Sequence, residues 1–130
     1  MLKRRVKGFT LVEIMIVVAI IGIIIAIAIP GFMRAREVSR ATSCQENLIK
    51  IEGAVDQWAV EYDQKDGITV DWTGLVGKTL YLKKTPKCRA GGLYPASLTV
   101  GITPTCDYTT PQWFDTQGAK YQHKVPDSKD

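Results

Sequence analysis

Four side chains with ligand or redox chemistry stand in this 130-residue sequence: Cys44, Cys88, Cys106 and the only histidine, His123. Three cysteines leave one thiol over if any disulfide forms, and three pairings are open. Cys88 and Cys106 flank a stretch punctuated by glycine and proline. A bond between them would close a loop of about 19 residues and contribute roughly 3 kcal/mol in the chain-entropy account. That pairing is favoured, with Cys44 left as a buried free thiol on a helix stripe. The same four residues suffice in number for a zinc site, but they lack the close C-x2-C or H-x3-H spacing that marks one. No metal and no cofactor is therefore expected, and His123 is expected to be exposed and idle in a polar tail. Asp63, Asp66 and Asp71 around Gly67 miss the EF-hand spacing and read as turn formers. No phosphate-binding loop or hydrolase elbow is present, so no catalytic residues are assigned.

A fifth reactive group, Glu13, is notable for its surroundings. It lies in FTLVEIMIVVAIIGIIIAIAI, the apolar run from Phe9 to Ile29. As a helix, those 21 residues rise about 32 Å, close to the thickness of a bilayer's hydrocarbon core. A carboxylate at the centre of such a span costs about 2.5–3.5 kcal/mol. Glu13 sits only one turn in, where it can snorkel and meet the positive end of the helix dipole. Lys3, Arg4, Arg5 and Lys7 precede the run with no acid among them. This flank holds the N-terminus in the cytoplasm and sends the remainder across. Without the flank, 17 − 4 = 13 basic residues face 13 acidic ones, so the high pI reports the flank rather than a nucleic-acid surface. The apolar run is too long for an ordinary secretory signal, and no small-x-small cleavage site follows it.

The elements that position these groups follow from periodicity. Beyond Pro30, the residues Val38, Ala41, Cys44, Leu48, Ile51, Val55, Trp58 and Tyr62 recur every three or four positions, the apolar stripe of one helix face. Asp63-Gln64-Lys65-Asp66-Gly67 ends that helix. Asp71 is placed to N-cap a short helix through Leu82, although the Ile68, Val70, Trp72 alternation also fits a strand. From Gly91, short β-branched runs between glycines and prolines predict a small antiparallel hairpin or sheet covering the first helix. Pro30 cannot donate to the carbonyl of Ala26, and with Gly22 it is a weak point of the apolar helix. Lys83, Lys84, Lys87 and Arg89 form one basic cluster. Its ordinary reading is a solvated face, and DNA phosphates are the alternative.

Lys7-Gly8-Phe9-Thr10-Leu11-Val12-Glu13-Ile14, with the apolar run behind it, strongly resembles the cleavage and methylation motif of type IV prepilins and type II secretion pseudopilins. The resemblance covers about the first third of the chain. It implies that a membrane aspartyl peptidase cuts between Gly8 and Phe9 and methylates the new amine of Phe9. It also implies assembly through Phe9, Glu13, Gly22 and Pro30, with Glu13 paired to the Phe9 amine of a neighbouring copy; an internal pair within one chain is the alternative. Similar pilins lose helicity between positions such as Gly22 and Pro30 on entering the filament, whereas an isolated reading gives a simple kink. The block from Lys87 to Cys106 resembles, more weakly, small pilin-like proteins of environmental bacteria.

The expected fold class is α+β. A long N-terminal helix, membrane-spanning in its first half and amphipathic in its second, carries a small C-terminal antiparallel β-sheet. The parts are a basic leader at 1–8, an assembly helix at 9–30, its amphipathic continuation at 31–66, and a β-rich part with a polar tail at 67–130. The expected function is a structural filament subunit, not an enzyme. Its partners would be further copies of itself, the prepilin peptidase, a pilus or secretion machine and the inner membrane. The assembled form would be periplasmic or at the cell surface. A pseudopilin of type II secretion is the alternative, although the calcium-linked C-terminal block common in major pseudopilins is missing. Outside the assembling class stand a single-pass membrane protein with a small binding domain and a minor tip pilin that is adhesive or binds DNA.

Overall fold

The computed structural model describes residues 8–109 and 123–125. Helix α1 runs from Leu11 to Glu61, 51 residues with Pro30 inside it. Strand β1 (Thr69–Asp71), the single-turn helix α2 (Trp72–Leu75) and strand β2 (Ser97–Thr99) follow. The architecture is the expected α+β arrangement of one long N-terminal helix and a small antiparallel sheet. The chain forms two compact units, divided between Ala35 and Arg36.

In the first unit, helix α1 is apolar on every side, and none of its most hydrophobic window is buried within the chain. Phe9 is 85% exposed, and the helix is long and apolar enough to cross a membrane. The basic leader through Lys7 lies outside the described residues.

In the second unit, the rest of α1 buries Glu37, Ala41, Cys44, Leu48, Ile51, Ala54, Val55 and Ala59. The three-and-four spacing is the expected one, with corrections at the stripe's margins. Glu37 is buried where the stripe predicts Val38, because the Glu37 carboxylate is bonded to Arg40 at 2.9 Å and accepts the Tyr108 hydroxyl at 3.3 Å. Tyr62 is exposed and stacks on the half-buried Trp58, their ring centroids 5.6 Å apart. Helix α1 closes in a Schellman arrangement: Asp63 takes a φ of 51°, and the Gln64 N–H donates to the Ala59 carbonyl at 2.8 Å.

The sheet is not a local hairpin. β2 pairs with the distant β1, in the register Thr69 to Thr99, Val70 to Leu98 and Asp71 to Ser97. Val70 and Leu98 face the core, while their strand neighbours Thr69, Asp71 and Ser97 are exposed. Both readings of the 68–82 segment hold in part: the alternation makes β1, and a helix follows it. That helix stops at Leu75 rather than Leu82, because Val76 turns extended and bridges to Leu82. Asp71 occupies the N-cap position but makes no side-chain cap bond. Leu75, Leu48, Ile51 and Cys44 are the largest fully buried side chains among the described residues.

Candidate functional site

Two groups of candidate functional side chains emerge, one in each unit. Gly8, Phe9 and Thr10 precede the first helical residue, so the Gly8–Phe9 peptide bond lies outside the helical ladder and is exposed. Thr10 and Glu13 form a capping box. The Glu13 N–H donates to the Thr10 hydroxyl oxygen at 3.3 Å, and the Thr10 backbone N–H and hydroxyl each donate to Glu13 Oε2 at 2.8 Å. Two otherwise orphaned donors at the start of α1 are thereby satisfied. Reading the sequence for chemistry alone passes over Thr10, although Thr-x-x-Glu before an apolar run is a readable signal. A β-carbon on Gly22 would meet nothing within 4 Å beyond its own helix backbone, and Pro30 sits within a continuous helix. The described structure brings neither of them to Glu13.

The second group is Cys44, Cys88, Cys106 and His123, whose ligating atoms all lie within 4.8 Å of one another. His123 is 3% exposed, against the expectation of an idle surface residue; its ring packs on Tyr108 with centroids 4.5 Å apart. Its Nδ1 is 3.4 Å from Cys88 Sγ, and its Nε2 is buried with no hydrogen-bond partner among the described residues. All three thiols are free, so the Cys88–Cys106 bond favoured from sequence is not formed in this structure.

Local structure holds the cluster together. Cys44 is presented by the buried face of α1, and its sulfur meets the Tyr94 hydroxyl at 3.4 Å. Cys88 opens a turn in which the Gly91 N–H donates to the Cys88 carbonyl at 3.1 Å, with Gly91 at a φ of 96° that disfavours side chains. The backbone N–H groups of Ala90 and Gly92 lie close enough to Cys88 to favour its thiolate, and that of Tyr108 does the same for Cys106. A β-carbon on Gly92 would lie 2.5 Å from Cys106 Sγ, so only glycine lets the two loops approach. Reciprocal bonds lock them: the Leu93 N–H donates to the Asp107 carboxylate, and the Asp107 N–H donates to the Leu93 carbonyl at 3.2 Å.

These surroundings set the acidities. Burial pushes the Cys44 thiol up to about 12 and also raises Cys106. Burial pushes Cys88 upwards too, but the N–H groups of Ala90 and Gly92 and the two neighbouring thiols outweigh it and bring Cys88 below the ordinary thiol value. Burial lowers His123, opposed by the charge of Glu37. Lys83, Lys84, Lys87 and Arg89 are all exposed, as a solvated face requires.

Comparison with known proteins bears on the N-terminal group. Residues 3–29 match the family described as the prokaryotic N-terminal methylation motif. The chain is 35% identical over 108 residues to a fimbrial protein of Moraxella nonliquefaciens, covering 75% of this chain and 70% of that one. It is 28% identical over 92 residues to the type II secretion system core protein G of Aeromonas hydrophila, covering 71% of this chain and 64% of the relative. To the type IV major pilin protein PilA of Myxococcus xanthus it is 45% identical over 60 residues, or 46% of this chain and 27% of the relative. The chain thus spans less than two-thirds of the length of these last two relatives. No solved structure matches it. A methylation motif opening an exposed apolar helix, and a fimbrial relative matched over most of both chains, show that this chain belongs to the family of type IV pilins and type II secretion pseudopilins.

Proposed function

We propose that the chain is the precursor of a structural subunit of a type IV pilus-like filament, cut between Gly8 and Phe9, N-methylated at Phe9 and polymerised through helix α1. The observation that carries this reading is the exposure of the apolar half of α1. From Leu11 to Ile29 its large side chains are about half exposed or more, with Leu11 at 74% and Ile27 at 76%. Such a surface needs cover, first from lipid and then from other copies of the same helix. The exposed, non-helical Gly8–Phe9 bond suits a peptidase that must grip extended backbone. The leader's four cations keep the N-terminus cytoplasmic in the precursor. The filament is then periplasmic or at the surface, and the chain is the substrate of its processing enzyme rather than an enzyme itself.

Cutting removes the acyl group from the Phe9 nitrogen and leaves a cation four residues before Glu13. In a packed fibre, Glu13 loses access to water, and a buried carboxylate needs a compensating charge. An axially staggered neighbour's Phe9 amine supplies it and fixes register. Mass spectrometry of the mature chain should find a methylated Phe9 at its N-terminus; an intact Met1 in cells holding the peptidase would refute processing. Glu13→Gln should insert and be cut normally, yet reduce filament yield at least about tenfold. Unchanged filament number would refute the pairing. The similarity to core protein G supports a second reading, a pseudopilin of a secretion machine. Loss of a secreted substrate with surface fibres intact in a deletion strain selects it.

A further inference from the structure

We propose that Cys44, Cys88, Cys106 and His123 bind one zinc ion in a closed, tetrahedral, structural site that ties the residues around His123 to helix α1. Three sulfurs and one imidazole nitrogen are a ligand set suited to zinc, and four protein ligands leave no position open for catalysis. The observed distances suit it. Ligands around a tetrahedral zinc, with Zn–S near 2.3 Å and Zn–N near 2.0–2.1 Å, stand about 3.5–3.8 Å apart. Cys88 Sγ and His123 Nδ1 are already 3.4 Å apart, and all four ligand atoms fit within 4.8 Å.

Several features of the surroundings have no purpose in a plain apolar core. The backbone N–H groups of Ala90 and Gly92 favour the charged form of Cys88, and that of Tyr108 favours the charged form of Cys106. Such donors stabilise negative charge on sulfur, which a zinc-bound thiolate carries and a packed thiol does not. The Gly91-Gly92 pair lets the Cys88 loop close onto Cys106 without a clash. Among the described residues, the buried His123 has no hydrogen-bond partner at Nε2 and has the Cys88 sulfur at Nδ1, an arrangement that a bound ion would make favourable. Glu37, buried nearby on α1 and bonded to Arg40 and Tyr108, is the carboxylate whose charge acts on that ring.

A disulfide accounts for less. Any one bond leaves a third sulfur and the histidine without a role. The cluster draws on the helix, both loops and the C-terminal part at once, which suits a small core that needs a staple. The ligands are far apart in sequence, so an ion joining them constrains the unfolded chain over long loops.

The test uses the full-length chain in detergent, purified with and without added zinc. Elemental analysis and native mass spectrometry should find about one zinc per chain, retained on dialysis and released together with three titratable thiols by excess chelator. Cobalt(II) should replace it, giving the strong visible absorption of tetrahedral thiolate coordination. His123→Ala should weaken zinc binding at least about tenfold, and His123→Cys should restore it. A structural imidazole that holds no metal gives no such rescue. Should the His123 variants fail to fold, the cobalt spectrum of the unaltered chain decides. A chain purified with added zinc that retains no metal overturns the proposal, whether or not its intact mass is lighter by the two hydrogens of one disulfide. So does an octahedral cobalt spectrum, or zinc affinity unchanged in His123→Ala.

Discussion

A carboxylate one turn into an apolar helix can avoid isolation in two ways, and Glu13 has access to both. Within the chain it closes a capping box with Thr10, which gives it two hydrogen bonds but no compensating charge. The proposed intermolecular ion pair must compete with those local bonds, which would make Thr10 a second lever on assembly that acts through Glu13. In the second unit, two adjacent glycines have different reasons to be glycine. Gly91 lies in open space at a φ of 96°, so Gly91→Ala should cost about 1–3 kcal/mol through backbone strain alone. Gly92 has its would-be β-carbon 2.5 Å from Cys106 Sγ and 3.0 Å from the Tyr108 backbone nitrogen. The sulfur can swing aside, but the backbone nitrogen cannot. Gly92→Ala should therefore cost about 1–3 kcal/mol by overpacking and also displace Cys106. Denaturant titration of both variants checks the stabilities. Cysteine accessibility to a thiol reagent separates them, rising at Cys106 in Gly92→Ala and staying unchanged in Gly91→Ala.

At the scale of elements, helix α1 is almost wholly legible because its signals are local: an apolar run, then a three-and-four stripe, then turn residues. Where the sequence misleads, partners far along the chain decide the outcome. Glu37 is buried because Tyr108, 71 residues away, meets its carboxylate. β2 reads as half of a hairpin, yet its partner β1 lies across a long connection whose course no local pattern encodes. The Cys44, Cys88, Cys106 and His123 cluster fails the spacing test for the same reason: its closeness is a product of topology, and each ligand comes from a different part of the second unit. Helix α1 itself keeps two local imperfections that can be tested. Gly53 lies mid-helix with nothing within 4 Å of where a β-carbon would stand, so Gly53→Ala should stabilise by about 1 kcal/mol. Asp63 holds a left-handed φ of 51° at the end of the helix, a position that glycine fills more easily, so Asp63→Gly should stabilise by about 0.5–1 kcal/mol. The two positions stand more than two helical turns apart, beyond direct contact, so the gains should add in the thermal unfolding of the double variant. A loss of stability in Asp63→Gly would show that the Asp63 side chain does more than tolerate the turn.

For the molecule as a whole, charge divides at the proposed cleavage point. The precursor has a formal charge of +4 and a sequence pI near 9.0, and the four cations of the first eight residues account for all of that excess. Without them, 17 − 4 = 13 bases balance 13 acids. Processing should therefore shift the isoelectric point from near 9.0 towards neutrality, about two units lower, in isoelectric focusing of the precursor against the processed chain. Neutrality has a consequence for the filament. Subunits stacked side by side at zero net charge have little mutual repulsion for salt to screen, and an ion pair enclosed by apolar helices is itself poorly screened. Apolar helix contacts resist salt as well, and added salt strengthens them if it acts at all. Sheared filaments should accordingly keep their length and mass between about 0.05 and 1 M sodium chloride and come apart in detergent. If instead they dissolve steeply as salt rises, exposed charge pairs hold the subunits together, and the exposed apolar face of α1 is not the joint.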